Sequence, residues 1–597
     1  MREAVRALGL MLEISLRADR PRSILTVITA VGTMATQPLR AVGLKVLIDG
    51  VIGGNEGQAL SGVLLVAGLT ALSRLMYWAS LNVRMRLREN TQVYLDAHLM
   101  ELTAGIPGLE HHERPDYLDK VELVRAERWY LANPFNPLSW TIASVIQIAS
   151  IMVLLAGVHP LLLLLPLSGV PSVLATLHGQ RAATRLRESQ AEPNRLLRHL
   201  QDLTTDAASA KEMRIFGLTD VLLQRRRSLF RALEGARMRQ GLRMTLLEAG
   251  GWAIFAVCFG AAIAYAGNLA AAQVISVGAV VLVLGLGAQM NVQLAMLVEN
   301  LAWLVRTQSA VVKLLWLRDY AAQAGTRLEV PNPVPLPTHL HDGIRFAGVS
   351  FRYPGVDRAV LEGLDLYLPA GSTVAIVGEN GVGKTTLVKL LSRFYEPTAG
   401  SITVDGVDLR RCSVAQWRRR LAAGFQDFAR LELLARESIG VGDTDNIPRD
   451  DALLGALDRA AAADLPADLP RGLDTQLGRS FDGGVDLSLG QWQKVALARA
   501  MMRQNILLLI LDEPTASLDA PTEHALFEHF ATAARDYAAT AGAITVLISH
   551  RFSTVRMADL ILVASTGRIV ERGTHAELVR QGGLYAELYG LQASAYR

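Results

Sequence analysis

The sequence predicts a fused membrane protein, an all-α six-helix transmembrane domain followed by an α/β domain of the P-loop kind. Three observations predict it. Six apolar runs precede residue 300. Residues 378–385, Gly-Glu-Asn-Gly-Val-Gly-Lys-Thr, fit the phosphate-loop pattern G-x-x-x-x-G-K-[ST]. Strand-like and helix-like stretches begin to alternate only after about residue 343.

A chain of 597 residues is too long for one domain. Charged residues make up 19% and the mean hydropathy is +0.26, against about 25% charge in soluble domains. The deficit is concentrated in the first 300 residues. A formal charge of +4 and a pI near 9.0 would fit nucleic-acid binding. Here the excess Arg sits beside apolar runs, which fits the positive-inside bias of membrane proteins instead. No nucleic-acid partner is expected. Cys258 and Cys412 lie in different halves and give no disulfide framework, so the soluble part reads as cytoplasmic. Residues 1–22 carry Arg2, Arg6, Arg17, Arg20 and Arg22 among apolar side chains, without a short apolar core and cleavage site. They read as an amphipathic helix on the membrane surface.

The apolar runs are 24–48, 59–83, 137–158, 160–178, 249–268 and 271–298, and crossing a bilayer takes about 20 apolar residues. No acidic or basic residue falls between Ala249 and Val298. Arg40 and Lys45 interrupt the first run and Arg74 the second. Arg40 and Lys45 fall near the outer end, where long cationic side chains snorkel to head groups. Segments 84–136 and 179–248 are Arg-rich, whereas 49–58, 158–159 and 268–271 hold no Lys or Arg. The Lys/Arg rule then places both termini and the long loops in the cytoplasm of a multi-pass protein of the cell membrane. Helical spacing over 84–105 and 180–204 extends the spanning helices into the cytoplasm.

Residues 330–337, Val-Pro-Asn-Pro-Val-Pro-Leu-Pro, read as an extended linker. Ile344–Phe351, Ser401–Val407, Ile506–Leu511 and Ile544–Ser549 read as strands. The expected division is a transmembrane domain over 1–322, a linker over 323–342 and a nucleotide-binding domain over 343–597. A helical subdomain is expected at about 431–494.

The phosphate loop follows a β-rich stretch, Thr373–Val377, and opens a helical one, the context its chemistry needs. Glycines let backbone N–H groups turn toward phosphate, and the helix N-terminus adds a favourable partial charge. Lys384 reaches the β- and γ-phosphates, and the Thr385 hydroxyl holds Mg²⁺. The run 506–511, Ile-Leu-Leu-Leu-Ile-Leu, ends in Asp512-Glu513. A carboxylate at that strand edge is placed to hold Mg²⁺, and Glu513 to orient the attacking water. His550 follows the strand 544–549, within reach of a γ-phosphate.

Taken in order, these residues make the chain resemble an ATP-binding cassette transporter half-molecule of the exporter-type fold, over nearly its whole length. Tyr353 in Phe-Arg-Tyr-Pro-Gly matches the aromatic that stacks on adenine. The phosphate loop comprises Gly378, Glu379, Asn380, Gly381, Val382, Gly383, Lys384 and Thr385, with Thr386 beside it. Gln426 in Phe-Gln-Asp matches the glutamine loop, and Leu-Ser-Leu-Gly-Gln at 487–491 the signature. Ser517-Leu518-Asp519 resembles the D-loop and His550 the switch histidine.

The resemblance implies ATP and Mg²⁺ as cofactors, with Thr385, Gln426 and Asp512 toward the metal and Glu513, His550 and Gln426 in catalysis. It also implies two cassettes closing head-to-tail, so that Ser488, Gly490 and Gln491 of one face the nucleotide held by the other. The partner is then a second copy or a homologous half-transporter. Leu489 departs from the family's usual glycine, while Ser488, Gly490 and Gln491 are kept. Residues 110–122 and 207–218 resemble the loops that dock on cassettes.

The function implied is ATP-driven export through a lipid bilayer. The nearly charge-free spans favour an amphipathic small molecule, lipid or peptide as cargo. An importer of metal chelates in the same fold and a nucleotide-sensing regulatory subunit are the alternatives. Retained Glu513 argues against the sensor, and six apolar runs argue against a soluble repair-type ATPase.

Overall fold

The computed structural model describes residues 2–514 and 520–595. They form two units, Met1–Glu101 with Lys120–Arg318, and Leu102–Asp119 with Asp319–Arg597.

The helices up to residue 328 are, in chain order, α1 (Arg2–Ile52), α2 (Glu56–Ala104), α3 (Glu110–Glu113), α4 (Pro115–Ala126), α5 (Arg128–Ala132) and α6 (Phe135–Val158). They continue with α7 (Leu164–Leu167), α8 (Val170–Ser189), α9 (Ala191–Thr205), α10 (Ala207–Ile215), α11 (Thr219–Ala271) and α12 (Val277–Leu328). Among the described residues, five helical stretches are long and apolar enough to cross a membrane: Glu56–Ala104, Phe135–Val158, Pro160–Ala183, Thr219–Ala271 and Val277–Leu328.

The first expected span, 24–48, is helical but is not among these five. Arg40, Lys45 and the buried threonines 26, 29, 33 and 36 lower its hydropathy. The helix itself satisfies the threonines: Thr26 Oγ1 donates to the Arg22 carbonyl at 2.8 Å and Thr33 Oγ1 to the Thr29 carbonyl at 2.7 Å. Residues 2–18 are helical, as expected of the N-terminal segment. They run into the same element across a break at Asp19, which is extended (φ −162°, ψ 89°). The Asp19 carboxylate accepts the Arg22 backbone N–H at 3.1 Å and Asn90 Nδ2 at 2.8 Å, so it caps the second segment.

The run 160–178 is broken as well. A 3₁₀ turn at Pro160–Leu163 leads into α7, and α8 begins only at Val170. Pro166 and Pro171 each remove a helical donor, which accounts for the interruption. The α1–α2 hairpin needs bare backbone. A Cβ on Gly50 would fall 2.5 Å from the Ala59 nitrogen, and one on Gly62 2.5 Å from the Leu47 nitrogen. Asp49, near the end of α1, accepts Ser276 Oγ and the Gly278 N–H, both at 2.9 Å, and so pins the start of α12. The core of this unit gathers Ile151, Leu155, Phe255, Val283, Leu286 and Met290.

The other unit holds two sheets. Strands β1 (Gly343–Phe351), β2 (Leu361–Pro369), β4 (Ala399–Val404) and β5 (Val407–Asp408) form an antiparallel sheet ordered β2-β1-β4-β5, and β3 (Thr373–Gly378) lies in the second sheet. That second sheet adds β6 (Leu421–Gly424), β7 (Leu508–Asp512), β8 (Ile544–Ile548), β9 (Leu560–Ser565) and β10 (Arg568–Gly573), ordered β10-β9-β3-β8-β7-β6. All its neighbours are parallel except β9 with β10. Helices α13 (Lys384–Leu391), α14 (Val414–Arg419), α15 (Ala435–Gly440), α16 (Asp450–Arg459), α17 (Leu465–Asp468) and α18 (Leu489–Ala500) follow. The chain closes with α19 (Ala520–Ala541), α20 (Phe552–Val555), α21 (His575–Gln581) and α22 (Leu584–Ala595).

The single strand expected at 401–407 is two strands. Asp405 and Gly406, at φ 45° and 79°, form a two-residue hairpin turn between β4 and β5. Strands β7 and β8 are buried at every position, as a parallel sheet covered on both faces requires. The carboxyl ends of β3, β7 and β8 therefore meet in one place, where ligands of open α/β sheets bind.

Candidate functional site

That place is a cavity of about 670 Å³ lined by Tyr353, Asn380, Lys384, Thr385, Gln426, Asp512, Glu513 and His550, among others. The phosphate loop turns from β3 into α13 with Gly378, Gly381 and Gly383 at φ 155°, 84° and 102°. Gly383 has no room for a side chain, since a Cβ would lie 2.8 Å from Leu361 Cδ2. Lys384 is 8% exposed, and its Nζ donates to the Gly378 and Glu379 carbonyls at 2.7 and 3.0 Å. Burial lowers its pKa, while Glu513 and Asp512 pull the other way.

Asp512, at the end of β7, is 3% exposed. Burial and the adjoining Glu513 push its carboxyl up to about 6, against the opposing pull of Lys384. A buried carboxylate raised this way gains most from a cation, and Thr385 supplies a hydroxyl in the same cavity. The residues present therefore fit Mg²⁺. Glu513 sits at φ 48°, a strained value for a non-glycine, held because its N–H donates to the Ile548 carbonyl at 2.9 Å. Its two carboxylate oxygens are shared. Gln426 Nε2 donates to Oε2 at 3.0 Å, and His550 Nδ1 lies 3.3 Å from Oε1. The Tyr353 hydroxyl is 3.1 Å from Thr386 Oγ1.

The signature lies apart from this cavity. Ser488 is the N-cap of α18: its Oγ accepts the Gln491 N–H at 3.2 Å, and Gln491 Oε1 accepts the Ser488 N–H at 3.0 Å. Ser488 is exposed and Leu489 is 48% exposed, so the motif presents its helix start to the surface. The D-loop reading, Ser517-Leu518-Asp519, lies outside the described residues.

The sequence pointed to residues 110–122 as a cassette-docking loop but not to the individual partners of Glu113. Segment 102–119 belongs to the cassette unit. Lys389 Nζ donates to Glu113 Oε1 at 2.6 Å, the Tyr395 hydroxyl bonds Oε2, and the Leu109 N–H reaches the Phe394 carbonyl at 3.4 Å. Burial works against the Glu113 charge, but the bonds from Lys389 and Tyr395 hold its pKa below the usual value. The Lys389 ammonium also lies 5.0 Å from the centre of the Tyr353 ring. Beside them His111 is 2% exposed, its pKa lowered to about 4 by burial and by His112, so it is neutral at physiological pH. One signal was readable in advance: Lys389 stands four residues after Thr385 on α13, hence on the same helix face.

Comparison with known proteins agrees with this architecture. A family model described as ABC transporter matches residues 361–516. The ATP-dependent lipid A-core flippase of Pseudomonas fluorescens (strain Pf0-1) is 43% identical over 249 residues, 41% of this chain and 40% of the flippase. The alignment thus spans about two fifths of that relative's length. The subtilin transport ATP-binding protein SpaT of Bacillus subtilis is 29% identical over 532 residues, 87% of this chain and 83% of SpaT. A solved structure of a bacterial Atm1-family ABC exporter with ATP bound superposes with a TM-score of 0.80 at 26% identity, covering 97% of this chain and 98% of that one. Residues 361–516 thus carry the ABC transporter domain, and the helical domain fused to it in one polypeptide gives the chain the architecture of an exporter-type half-molecule.

Proposed function

We propose that this chain is one half of an ATP-driven exporter of an amphipathic molecule, lipid or peptide. The observation that carries the reading is the convergence of Lys384, Asp512, Gln426, Glu513 and His550 in one cavity, on a chain that also supplies long apolar helices. The names of the relatives, a lipid A-core flippase and a subtilin transport protein, support a cargo of that kind.

In this reading Tyr353 stacks on adenine and the phosphate-loop N–H groups with Lys384 bind the β- and γ-phosphates. Thr385, Asp512 and Gln426 would hold Mg²⁺, which would supply positive charge to offset that developing on the phosphoryl oxygens. Glu513, already held between Gln426 and His550, orients the attacking water. A second cassette supplies Ser488, Gly490 and Gln491 from its own signature. The exposed start of α18 supports this, as do Ile215 and Phe216 at the end of α10, 78% and 67% exposed, which a second chain would cover. Leu489 in place of glycine would suit one half of an asymmetric pair, whereas retained Glu513 and His550 argue against strong asymmetry. Segment 102–119 rides on the cassette through Glu113 and passes cassette movement to the helices on either side of it. ATP must bind the closed pair better than the open one, or no shift toward the outward-facing state follows. The Arg-rich loops support a cytoplasmic cassette in the cell membrane.

The test is ATP turnover of the purified chain in lipid nanodiscs, with lipids, peptides and amphipathic drugs offered in turn. Some member of that set is expected to stimulate turnover several-fold. Glu513→Gln is expected to bind ATP normally and to lose turnover by two orders of magnitude or more. Full turnover in that variant, or indifference to every cargo class, overturns the reading.

A further inference from the structure

His550 stands on a short piece of chain with few bonds of its own: the Arg551 N–H donates to Ser549 Oγ at 3.0 Å, and the Thr554 and Val555 N–H groups reach the Arg551 carbonyl at 3.2 and 3.3 Å. After β8 the chain passes through Ser549, His550 and Arg551 into α20, only four residues long. Its cap residue, Arg551, offers no side-chain acceptor, and so short a helix leaves its first N–H groups unpaired. The Phe552 N–H nevertheless has a partner: it donates to Gln592 Oε1 at 3.0 Å. Gln592 lies on α22, forty residues further along the chain and outside every motif of the nucleotide site.

The same helix holds the Phe552 ring. Tyr585 and Tyr589 meet it edge-on, with centroids 5.2 and 5.5 Å away. Tyr585 is fully buried, and its hydroxyl is fixed 2.8 Å from His575 Nδ1 on α21. On the other side, Glu523 of α19 is 8% exposed and pairs with the Arg551 guanidinium, with Ser553 and Thr554 hydroxyls 3.5 Å away. His550 itself is 53% exposed. Its Nδ1 lies 3.3 Å from Glu513 Oε1, and the chain just beyond it is bonded from two helices, α19 and α22.

We propose that Gln592 is a positioning residue for ATP hydrolysis, acting through the Phe552 amide to keep His550 within reach of Glu513. This rests on the hydrolytic reading of the cavity given above. Gln592 touches neither nucleotide nor reacting atoms. Its contribution is one acceptor oxygen in a fixed place, which a carboxylate supplies equally and a thioether does not.

The test compares Gln592→Met, which keeps the length and loses the acceptor, with Gln592→Glu, which keeps the acceptor, both in the full chain in nanodiscs. Gln592→Met is expected to lower kcat five- to tenfold with KM for ATP within twofold. Amides of 550–553 should exchange hydrogen about tenfold faster without nucleotide, at an unchanged Tm. Gln592→Glu is expected to match the wild type in both readouts. Wild-type kcat and exchange in Gln592→Met overturn the proposal, as does equal damage in both variants. If the wild type itself hydrolyses no ATP, the hydrolytic reading fails, and unchanged exchange at 550–553 in Gln592→Met would separately exclude the local anchor.

Discussion

At the scale of single residues, the site stores unfavourable electrostatics that a ligand relieves. Asp512 has its pKa raised to about 6, above its unfolded value near 3.9. A carboxyl shifted upward favours the fold below its unfolded pKa and loses that contribution as pH rises through the folded one. The charged form therefore opposes folding of the nucleotide-free cassette at neutral pH, by up to about 3 kcal/mol for a two-unit shift. Asp512→Asn should raise the Tm of the nucleotide-free protein at pH 7.5 while abolishing Mg²⁺-dependent turnover. The Tm gain should vanish below about pH 3, where aspartate is protonated in both states. Differential scanning fluorimetry across that range measures it, and a lower Tm for Asp512→Asn at pH 7.5 would contradict the account.

At the scale of elements, the arrangement around α3 and α13 is a device rather than a stability feature. The Lys389–Glu113 pair is 23% and 42% exposed, and a pair that open to water contributes at most about 1 kcal/mol. Its value is geometric: one ammonium touches both the Tyr353 ring and the carboxylate of a segment inserted between two long helices. Glu113→Ala is therefore expected to leave basal ATP turnover within twofold and to remove most of the cargo stimulation. Loss of basal and stimulated turnover in equal proportion would mean that the contact merely supports the cassette. The short α20 repeats the theme, since its position is decided by α19 and α22 instead of its own four residues.

At the scale of the whole molecule, the proposed function pairs two half-sites. The cavity of one chain gathers the phosphate loop, the glutamine and the carboxylates, while Ser488, Gly490 and Gln491 sit at an exposed helix start elsewhere in the same unit. Under the proposed two-cassette arrangement, hydrolysis depends on a second cassette. Mass measurement of the nanodisc-embedded protein in the presence of ATP should give twice the 64.7 kDa of the chain, or that of the chain plus a different half. A catalytically active single chain would overturn the two-cassette arrangement.

Local sequence sufficed wherever covalent neighbours decide the outcome. The phosphate loop is legible because three glycines at fixed offsets allow the positive φ angles that turn N–H groups inward. The apolar runs are legible because bilayer thickness fixes their length. Motif order also identified Gln426, Glu513 and His550 as one set, although 124 positions separate the first from the last. What required tertiary structure was every relation between distant segments. The first run's weak hydropathy goes with a threonine face buried against neighbouring helices, and the run at 160–178 is broken by prolines that an average over its length conceals. The sequence pointed to residues 110–122 as a docking loop, but the pairing of Glu113 with Lys389 and of Gln592 with the Phe552 amide was not legible, because a contact across 276 or 40 residues depends on how the sheets and helices pack. The sequence alone thus determined the chemistry and the kind of protein. Packing decided which side chains hold that chemistry in place, since close contact is a property of the folded interior and not of the chain.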